Sequence, residues 1–179
     1  MSFIVQWFKK HKEFLLDGLI AVGIAVLVMT FIKPVMVSGD SMLPNLQDNN
    51  YLLLSRQAYT FGEPKHGQIV VFPVKKDGDK LYIKRVIGIP GDNVKISDGK
   101  VYINGVRQDQ SYTNEGYTPG NIKKLKVPKG KLFVMGDNRA HSQDSRSDIV
   151  GLLNIEDVSG VVFFRLWPFS EFGSLDNYE

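Results

Sequence analysis

Apolar residues are concentrated in one run near the beginning of the chain. Residues 14–32 are predominantly apolar, and no charged residue occurs between Gly18 and Ile32. These positions go round all sides of a helix, which disfavours a buried core helix with a single apolar stripe. With Lys33 reaching to the interface, the run has the length of about 20 residues that a bilayer requires. The pattern therefore predicts a transmembrane anchor over residues 14–35.

The charges that flank this run predict its orientation. A basic cluster at residues 9–12 precedes it, so the positive-inside rule places residues 1–13 in the cytoplasm and residues 36–179 outside. A cleaved signal peptide has the same basic and apolar segments. However, Val, Met and Val at positions 35–37 are too bulky for a small-x-small cleavage site. We predict an uncleaved, single-pass anchor in the cell membrane.

Beyond the anchor the pattern changes to short β-favouring runs separated by Gly, Pro and Asp. Asp98-Gly99 lies between two alternating segments and is a favoured pair for a two-residue hairpin turn. The fold is predicted to be mostly β, with an antiparallel β-sheet domain and a small β-rich lobe inserted at about residues 92–131. The predicted strands are 51–54, 69–72, 81–89, 94–97, 100–103, 132–135 and 158–166.

Composition narrows the chemistry. The 179 residues have a net charge of +3 and 23% charged residues, which is typical neither of a disordered chain nor of a strongly nucleic-acid-binding one. Cysteine is absent, which excludes disulfides, thiolate zinc sites and a cysteine nucleophile. HExxH is absent and no two histidines have metal-ligand spacing. We expect no metal, no cofactor and no nucleic-acid partner.

A polar stretch with a candidate nucleophile closely follows the anchor. Residues 38–44 read Ser-Gly-Asp-Ser-Met-Leu-Pro, with Ser41 at the centre. A serine nucleophile needs a base and an oxyanion stabiliser. His66 and His141 lie in predicted loops, so either fits a serine–histidine triad. Lys84 fits a different pairing, because a lysine in apolar surroundings loses its proton more readily and can act as a base.

Two further features are ambiguous by themselves. Lys84 and Arg85 interrupt an apolar strand, and since neighbouring strand residues face opposite ways, we expect one of the two to face inward. Periodicity alone favours the alternative in which Lys84 faces solvent. Residues 136–146, Gly-Asp-Asn-Arg-Ala-His-Ser-Gln-Asp-Ser-Arg, are taken alone an ordinary polar loop.

Together these stretches carry a family resemblance. Residues 38–44, 82–92 (Tyr-Ile-Lys-Arg-Val-Ile-Gly-Ile-Pro-Gly-Asp) and 136–146, in this order behind one anchor, resemble the bacterial type I signal peptidases. The likeness runs from the anchor to Phe163–Pro168, and the short connection between the second and third stretches resembles the compact Gram-positive type. It implies a membrane-bound serine endopeptidase that removes N-terminal signal peptides from exported preproteins.

The resemblance also implies a Ser-Lys dyad. Ser41 matches the nucleophile and Lys84 the general base, which makes both histidines bystanders. Activity would then rise through mildly alkaline pH as Lys84 deprotonates, whereas a triad would follow a group near the usual histidine pKa of about 6.5. The Ser41 N–H would supply part of the oxyanion hole. Some relatives have a serine at the position of Gly39, so here a backbone group or water must complete that hole.

Three residues of the later loop match supporting positions of the family. Ser142 matches a hydroxyl that orients the lysine amine, and Asp144 with Arg146 matches a pair that holds the loop. Many relatives have an acid where this chain has Gln68, a difference interpreted as structural drift.

The implied substrate is a preprotein with small residues at the first and third positions before the cut. Such a site would lie extended beside a strand edge, with shallow pockets reading alternate side chains. We expect a monomer that works at the phospholipid bilayer, with the segment 167–169 dipping into lipid. Plain core packing is the alternative for each candidate pocket residue. The candidates are Val37, Met42, Leu46, Val71, Tyr82 and Ile83.

Two other functions remain open. A self-cleaving Ser-Lys repressor would need a DNA-binding helical module ahead of the serine, where this chain has the anchor. A catalytically inactive, membrane-anchored β-domain could bind exported proteins without cutting them. The presence of both Ser41 and Lys84 argues against that second function.

Overall fold

The structure is a computed structural model and describes residues 3–175. Residues 1–2 of the predicted cytoplasmic segment and 176–179 of the predicted extracytoplasmic domain lie outside the described residues. The elements in chain order are α1 Phe3–Phe31, β1 Ile32–Met36, β2 Tyr51–Ser55, α2 Ala58–Phe61, β3 Ile69–Val74, β4 Lys80–Gly88, β5 Asn93–Ser97, β6 Lys100–Ile103, β7 Val106–Arg107, β8 Ile122–Lys126, β9 Lys131–Met135, β10 Leu153–Asn154, β11 Gly160–Trp167 and β12 Gly173–Ser174.

The apolar run forms the long helix α1. Its segment His11–Phe31 has 21 residues, is apolar enough to cross a membrane, and is not buried against the rest of the protein. Such a helix fits a single-pass anchor. It ends at Phe31, and the last four residues of the predicted span 14–35 are extended in β1. Pro34 explains this early end, because proline lacks an N–H and disfavours the helical conformation at the residue before it. Which residues cross the bilayer stays a prediction.

Residues 3–175 contain two sheets, and the larger one has eight strands, which pair antiparallel. Seven follow the order β1-β2-β11-β3-β4-β9-β10. The eighth, β12, pairs with Phe164 and Arg165 of β11, beyond the residues of β11 that pair with β3. β4 is an interior strand between β3 and β9. β1 pairs with β2 alone, from Ile32 opposite Ser55 to Met36 opposite Tyr51. The sheet thus begins directly at the end of α1, and β1 leads the chain into the stretch that contains Ser41.

The smaller sheet has the order β7-β6-β5-β8. Its strands fall inside the range 92–131 that the sequence assigns to a small lobe. The predicted hairpin is confirmed: Ser97 pairs with Lys100, and both Asp98 and Gly99 have positive φ angles of 53° and 72°. Positive φ at both central residues is the geometry that matches the twist of the flanking strands. The mostly antiparallel β fold behind one apolar helix is confirmed.

Candidate active site

Ser41 lies in the connection between β1 and β2, and hydrogen bonds join the beginning of this connection to its end. At its base, Val37 N–H donates to Asn50 O at 2.9 Å and Asn49 N–H donates to Val37 O at 3.0 Å. Higher up, Gly39 N–H donates to Asp48 Oδ1 at 2.9 Å, and Gly39 has a φ of +94° that favours glycine. These bonds hold the nucleophile candidate at a fixed position beside the sheet.

Ser41 and Lys84 are in contact, although 43 positions separate them. Lys84 Nζ lies 2.7 Å from Ser41 Oγ and donates to Ile83 O at 2.8 Å. The amine also lies 5.1 Å from the centre of the Tyr82 ring. Only 3% of Lys84 is exposed, so water hardly reaches it. The distance lies within the range for a nucleophile and its base.

Burial changes the chemistry of this lysine. It lowers the pKa of Lys84 from 10.5 to about 8, because the charged amine loses its hydration, while the carboxylates of Asp144 and Asp137 act in the opposite direction. With a pKa near 8, Lys84 is uncharged in about a tenth of the molecules at pH 7. Lys84 can therefore accept a proton from Ser41 at moderate pH.

Arg85 is buried as well, with 1% exposed, so both neighbours are buried where strand alternation predicts one, and the alternative of a solvent-facing Lys84 is wrong. β4 lies inside the sheet, and its residues Ile83 and Val86 belong to different core clusters. Both faces of the strand are therefore covered. The Arg85 guanidinium is compensated by Asp137, with Nε–Oδ1 at 2.8 Å and Nη2–Oδ2 at 2.6 Å.

Asp137 ties this ion pair to the Ser41 turn, and sequence reasoning missed the connection. Asn45, four residues after Ser41, donates through Nδ2 to Asp137 Oδ2 and to Tyr112 O, both at 2.8 Å. Asn138 N–H donates to Ser41 O at 3.1 Å. Asn45 and Tyr112 stand far apart in sequence and belong to no recognisable motif, so nothing in the sequence signals their contact.

The predicted supporting pair is formed. Arg146 Nε and Nη2 donate to Asp144 Oδ1 and Oδ2 at 2.8 and 2.7 Å, and Asp144 also accepts from Gly136 N–H at 3.1 Å. A Cβ on Gly136 would meet Ser142 Oγ at 2.3 Å and Ser41 O at 2.4 Å. The loop 136–146 therefore packs directly against the nucleophile turn.

Ser142 lies close to the dyad without bonding to it. Its Oγ is buried and has no hydrogen-bond partner within the described residues. The predicted role of Ser142 in orienting Lys84 stays a prediction.

The two candidate triad histidines have other partners. His66 Nε2 lies 2.7 Å from Asp92 Oδ2, and His141 Nδ1 lies 3.3 Å from Asn138 Oδ1. Among residues 3–175, no group of three or more His, Asp or Glu side chains could hold a metal ion.

A cavity of about 600 Å³ opens over the Ser41–Lys84 pair. Four of the six predicted pocket residues line it: Val37, Met42, Tyr82 and Ile83. The other two, Leu46 and Val71, are fully buried in the core cluster behind Val37 and Met42.

Two strand edges border this cavity. In the described part of the chain, residues 80–84 of β4 pair with β3 on one side only, because β9 pairs with β4 from Arg85 onward. β1 likewise pairs only with β2, and Val35 and Met36 of β1 line the cavity. Unpaired backbone groups at a strand edge can bind an extended peptide by adding it as a further strand.

The Ser-Lys pair, the polar loop and the open strand edges occur in a chain that has close relatives. The family model described as "Signal peptidase, peptidase S26" matches residues 11–167. The chain belongs to the signal peptidase family.

Curated signal peptidases match almost the whole chain. Signal peptidase IB of Staphylococcus aureus is 36% identical over 183 residues, which cover 90% of this chain and 94% of the relative. Signal peptidase I of Bacillus licheniformis is 39% identical over 171 residues, which cover 88% and 89%. A crystal structure of a signal peptidase I from Enterococcus faecalis matches with 34% identity and a TM-score of 0.48, covering 55% of this chain and 96% of that chain. As a member of the signal peptidase family, the chain is a peptidase.

The Arg85–Asp137 pair of this family member yields a stability prediction. Asp137→Asn removes the carboxylate partner of an arginine that is 1% exposed. Breaking a buried ion pair from one side costs about 3–5 kcal/mol. We expect a loss of this size in the free energy of unfolding, measured by denaturant titration of the purified full chain in detergent.

The matched control is Asp77→Asn. Asp77 Oδ1 lies 3.2 Å from Nζ of Lys80, and the Lys80 side chain is largely exposed. Exposed pairs contribute little to stability, so the control should lose far less. Equal losses in the two variants would contradict the assigned importance of the buried pair.

Proposed function

We propose that this chain is a membrane-anchored serine endopeptidase that removes signal peptides from exported preproteins, with Ser41 as nucleophile and Lys84 as general base. The observation that carries the proposal is the 2.7 Å contact between Lys84 Nζ and Ser41 Oγ within one cavity. The lowered pKa of Lys84, caused by burial, supports the role of base. The names of the relatives support the substrate class.

The first half of the reaction forms the acyl-enzyme. Uncharged Lys84 takes the Ser41 hydroxyl proton while Oγ bonds to the scissile carbonyl carbon. The resulting lysine ammonium then gives this proton to the departing amine nitrogen as the carbon–nitrogen bond breaks. The signal peptide stays on Ser41 as an ester, and the mature protein leaves with a new amino terminus.

The second half hydrolyses the ester. Lys84 takes a proton from a water molecule as its oxygen attacks the ester carbonyl. The proton returns to Ser41 Oγ when the ester bond breaks, which releases the signal peptide with a free carboxylate. Each half uses one proton transfer to Lys84 and one from it, so the dyad ends in its starting state.

Donors near Ser41 would stabilise the oxyanion that forms in both halves. The Ser41 N–H is the first proposed donor. The Gly39 N–H already donates to Asp48, and Gly39 has no side chain to offer, so water or another backbone group completes the hole. In the proposed cycle Ser142 accepts the third N–H of the lysine ammonium, since Ser41 Oγ and Ile83 O take the other two.

The cleavage site of the preprotein would lie extended between the edges of β1 and β4. Main-chain bonds to these edges would position the scissile carbonyl at Ser41, and alternate side chains would point into the cavity. Val37, Met42 and Ile83 line the cavity beside Ser41 and would form the walls of the pockets for small residues at the first and third positions before the cut. With residues 1–13 in the cytoplasm, the site meets preproteins on the outer side of the membrane, and one copy of the chain suffices.

Removal of either dyad member tests this proposal. We expect Ser41→Ala and Lys84→Ala each to lower preprotein cleavage on the order of 10⁶-fold, because nucleophile and base act as one unit. Cleavage is followed in detergent with the full chain and a preprotein substrate. His66→Ala and His141→Ala are the controls and should keep their activity.

Full activity in either dyad variant would contradict the assignment of Ser41 and Lys84 as the dyad. Loss of activity in a histidine variant would favour a triad. An inactive wild-type chain that binds preproteins would support the alternative of an inactive β-domain.

The pH dependence tests the role of Lys84 separately. Its folded pKa of about 8 means that the uncharged base becomes more abundant as pH rises. We expect kcat/KM to rise about tenfold per pH unit below pH 8 and to level off above it. A rise centred near pH 6.5, the usual histidine value, would contradict a lysine base.

A further inference from the structure

A second large cavity lies away from the dyad and has no part in the proposed reaction. Its volume is about 710 Å³, within the usual range of ligand sites, and it shares no lining residue with the cavity over Ser41. Apolar residues from two connections, Ala58 and Tyr59 after β2 and Ile155 and Val158 before β11, form one wall and pack on a separate core cluster. We call it the basic cavity.

The charged lining of the basic cavity is mostly cationic. In the described part of the chain, Arg56, Lys129 and Lys131 line it, against the single acid Glu156. Lys131 Nζ is held by Asn154 Oδ1, which fixes the direction of its side chain. Arg56 and Lys129 are exposed and free to close on a ligand. This combination suits a phosphate, which accepts a forked pair of bonds from arginine and a point charge from lysine.

The position of Arg56 connects the basic cavity to the end of α1. Arg56 N–H donates to Phe31 O at 2.9 Å, and Phe31 is the last residue of α1. The preceding Ser55 pairs with Ile32, the first residue after the helix. His11–Phe31 is the segment that is long and apolar enough to cross a bilayer. With this segment as the proposed anchor, the backbone of Arg56 would lie at the level where the helix leaves the membrane.

We propose that the basic cavity binds the phosphate headgroup of an anionic phospholipid. Arg56 and Lys129 contact the phosphate from the rim, and Lys131 adds charge from inside. The Tyr59 hydroxyl donates to Gln68 at 2.9 Å, so its ring presents an apolar surface. That ring, with Ile155 and Val158, packs against the glycerol and the first methylenes of the acyl chains. The bound lipid would hold the β-domain against the bilayer, independently of peptidase activity.

A direct binding measurement tests this proposal. The full chain in non-ionic detergent is mixed with phosphatidylglycerol or with phosphatidylcholine of the same acyl chains. Bound lipid is then counted by native mass spectrometry. We expect preferential retention of phosphatidylglycerol. The double variant Arg56→Gln, Lys129→Gln should weaken that retention about 30-fold, since each basic residue near an anionic surface strengthens the attraction about fivefold and the two factors multiply.

A matched control separates a site from general charge attraction. Lys123→Gln, Lys124→Gln removes the same charge from two exposed lysines of β8 in the smaller sheet. It should keep the retention of the wild type. Equal weakening in both double variants, or equal retention of the two lipids, would overturn the proposal.

Competition by inorganic phosphate and by glycerol phosphate distinguishes a lipid headgroup from a soluble phosphate as the ligand of the basic cavity. The lipid proposal expects both to compete only weakly, because neither has acyl chains to pack on the apolar wall. Competition by inorganic phosphate at the affinity of the lipid, lost in the Arg56→Gln, Lys129→Gln variant, would identify a soluble-phosphate site and overturn the lipid proposal. The apolar wall has its own check: Ile155→Ser should weaken lipid retention and leave phosphate competition unchanged.

Discussion

The proposed chemistry depends on the burial of Lys84 beside Ser41. A lysine in water holds its proton too tightly to act as a base at moderate pH. With 3% of the residue exposed, the charged form of Lys84 is disfavoured, and its pKa falls to about 8. Lys84 Nζ lies 2.7 Å from Ser41 Oγ, so the hydroxyl and the amine are in direct contact. Other parts of the fold keep this amine buried and hold it at Ser41.

Neighbouring carboxylates oppose the lowering of the Lys84 pKa, and two arginines compensate the charge of these carboxylates. Asp137 and Asp144 both act to raise the pKa of Lys84. Asp137, however, forms its close contacts with Arg85, and Asp144 forms its own with Arg146. The partners of Lys84 Nζ are instead the uncharged Ser41 Oγ and Ile83 O. Two acids can therefore stabilise the loop around the site, while Lys84 has no directly bonded counter-ion among the described residues.

The sequence predicts local features well and long-range contacts poorly. The helix over the uncharged run after Gly18 depends on the length of an apolar segment, and the turn at Asp98-Gly99 depends on local backbone geometry. Both causes are local, and the sequence predicts both features. Ser41 and Lys84 were found through three dispersed motifs that resemble one family. The contact between Asn45 and Asp137 joins residues 92 positions apart, and no local pattern encodes it. The burial of both Lys84 and Arg85 was missed because alternation assumes one covered face, whereas β4 is covered on two.

Direct titration of Lys84 tests the central claim most closely. The full chain is labelled with ¹⁵N at the lysine side-chain amines, and Lys84→Gln identifies the signal of Lys84 in detergent micelles. The account predicts a midpoint near 8, lowered by burial. A midpoint at the ordinary lysine value of about 10.4 would contradict it, because the amine would then be charged whenever Ser41 has to be activated.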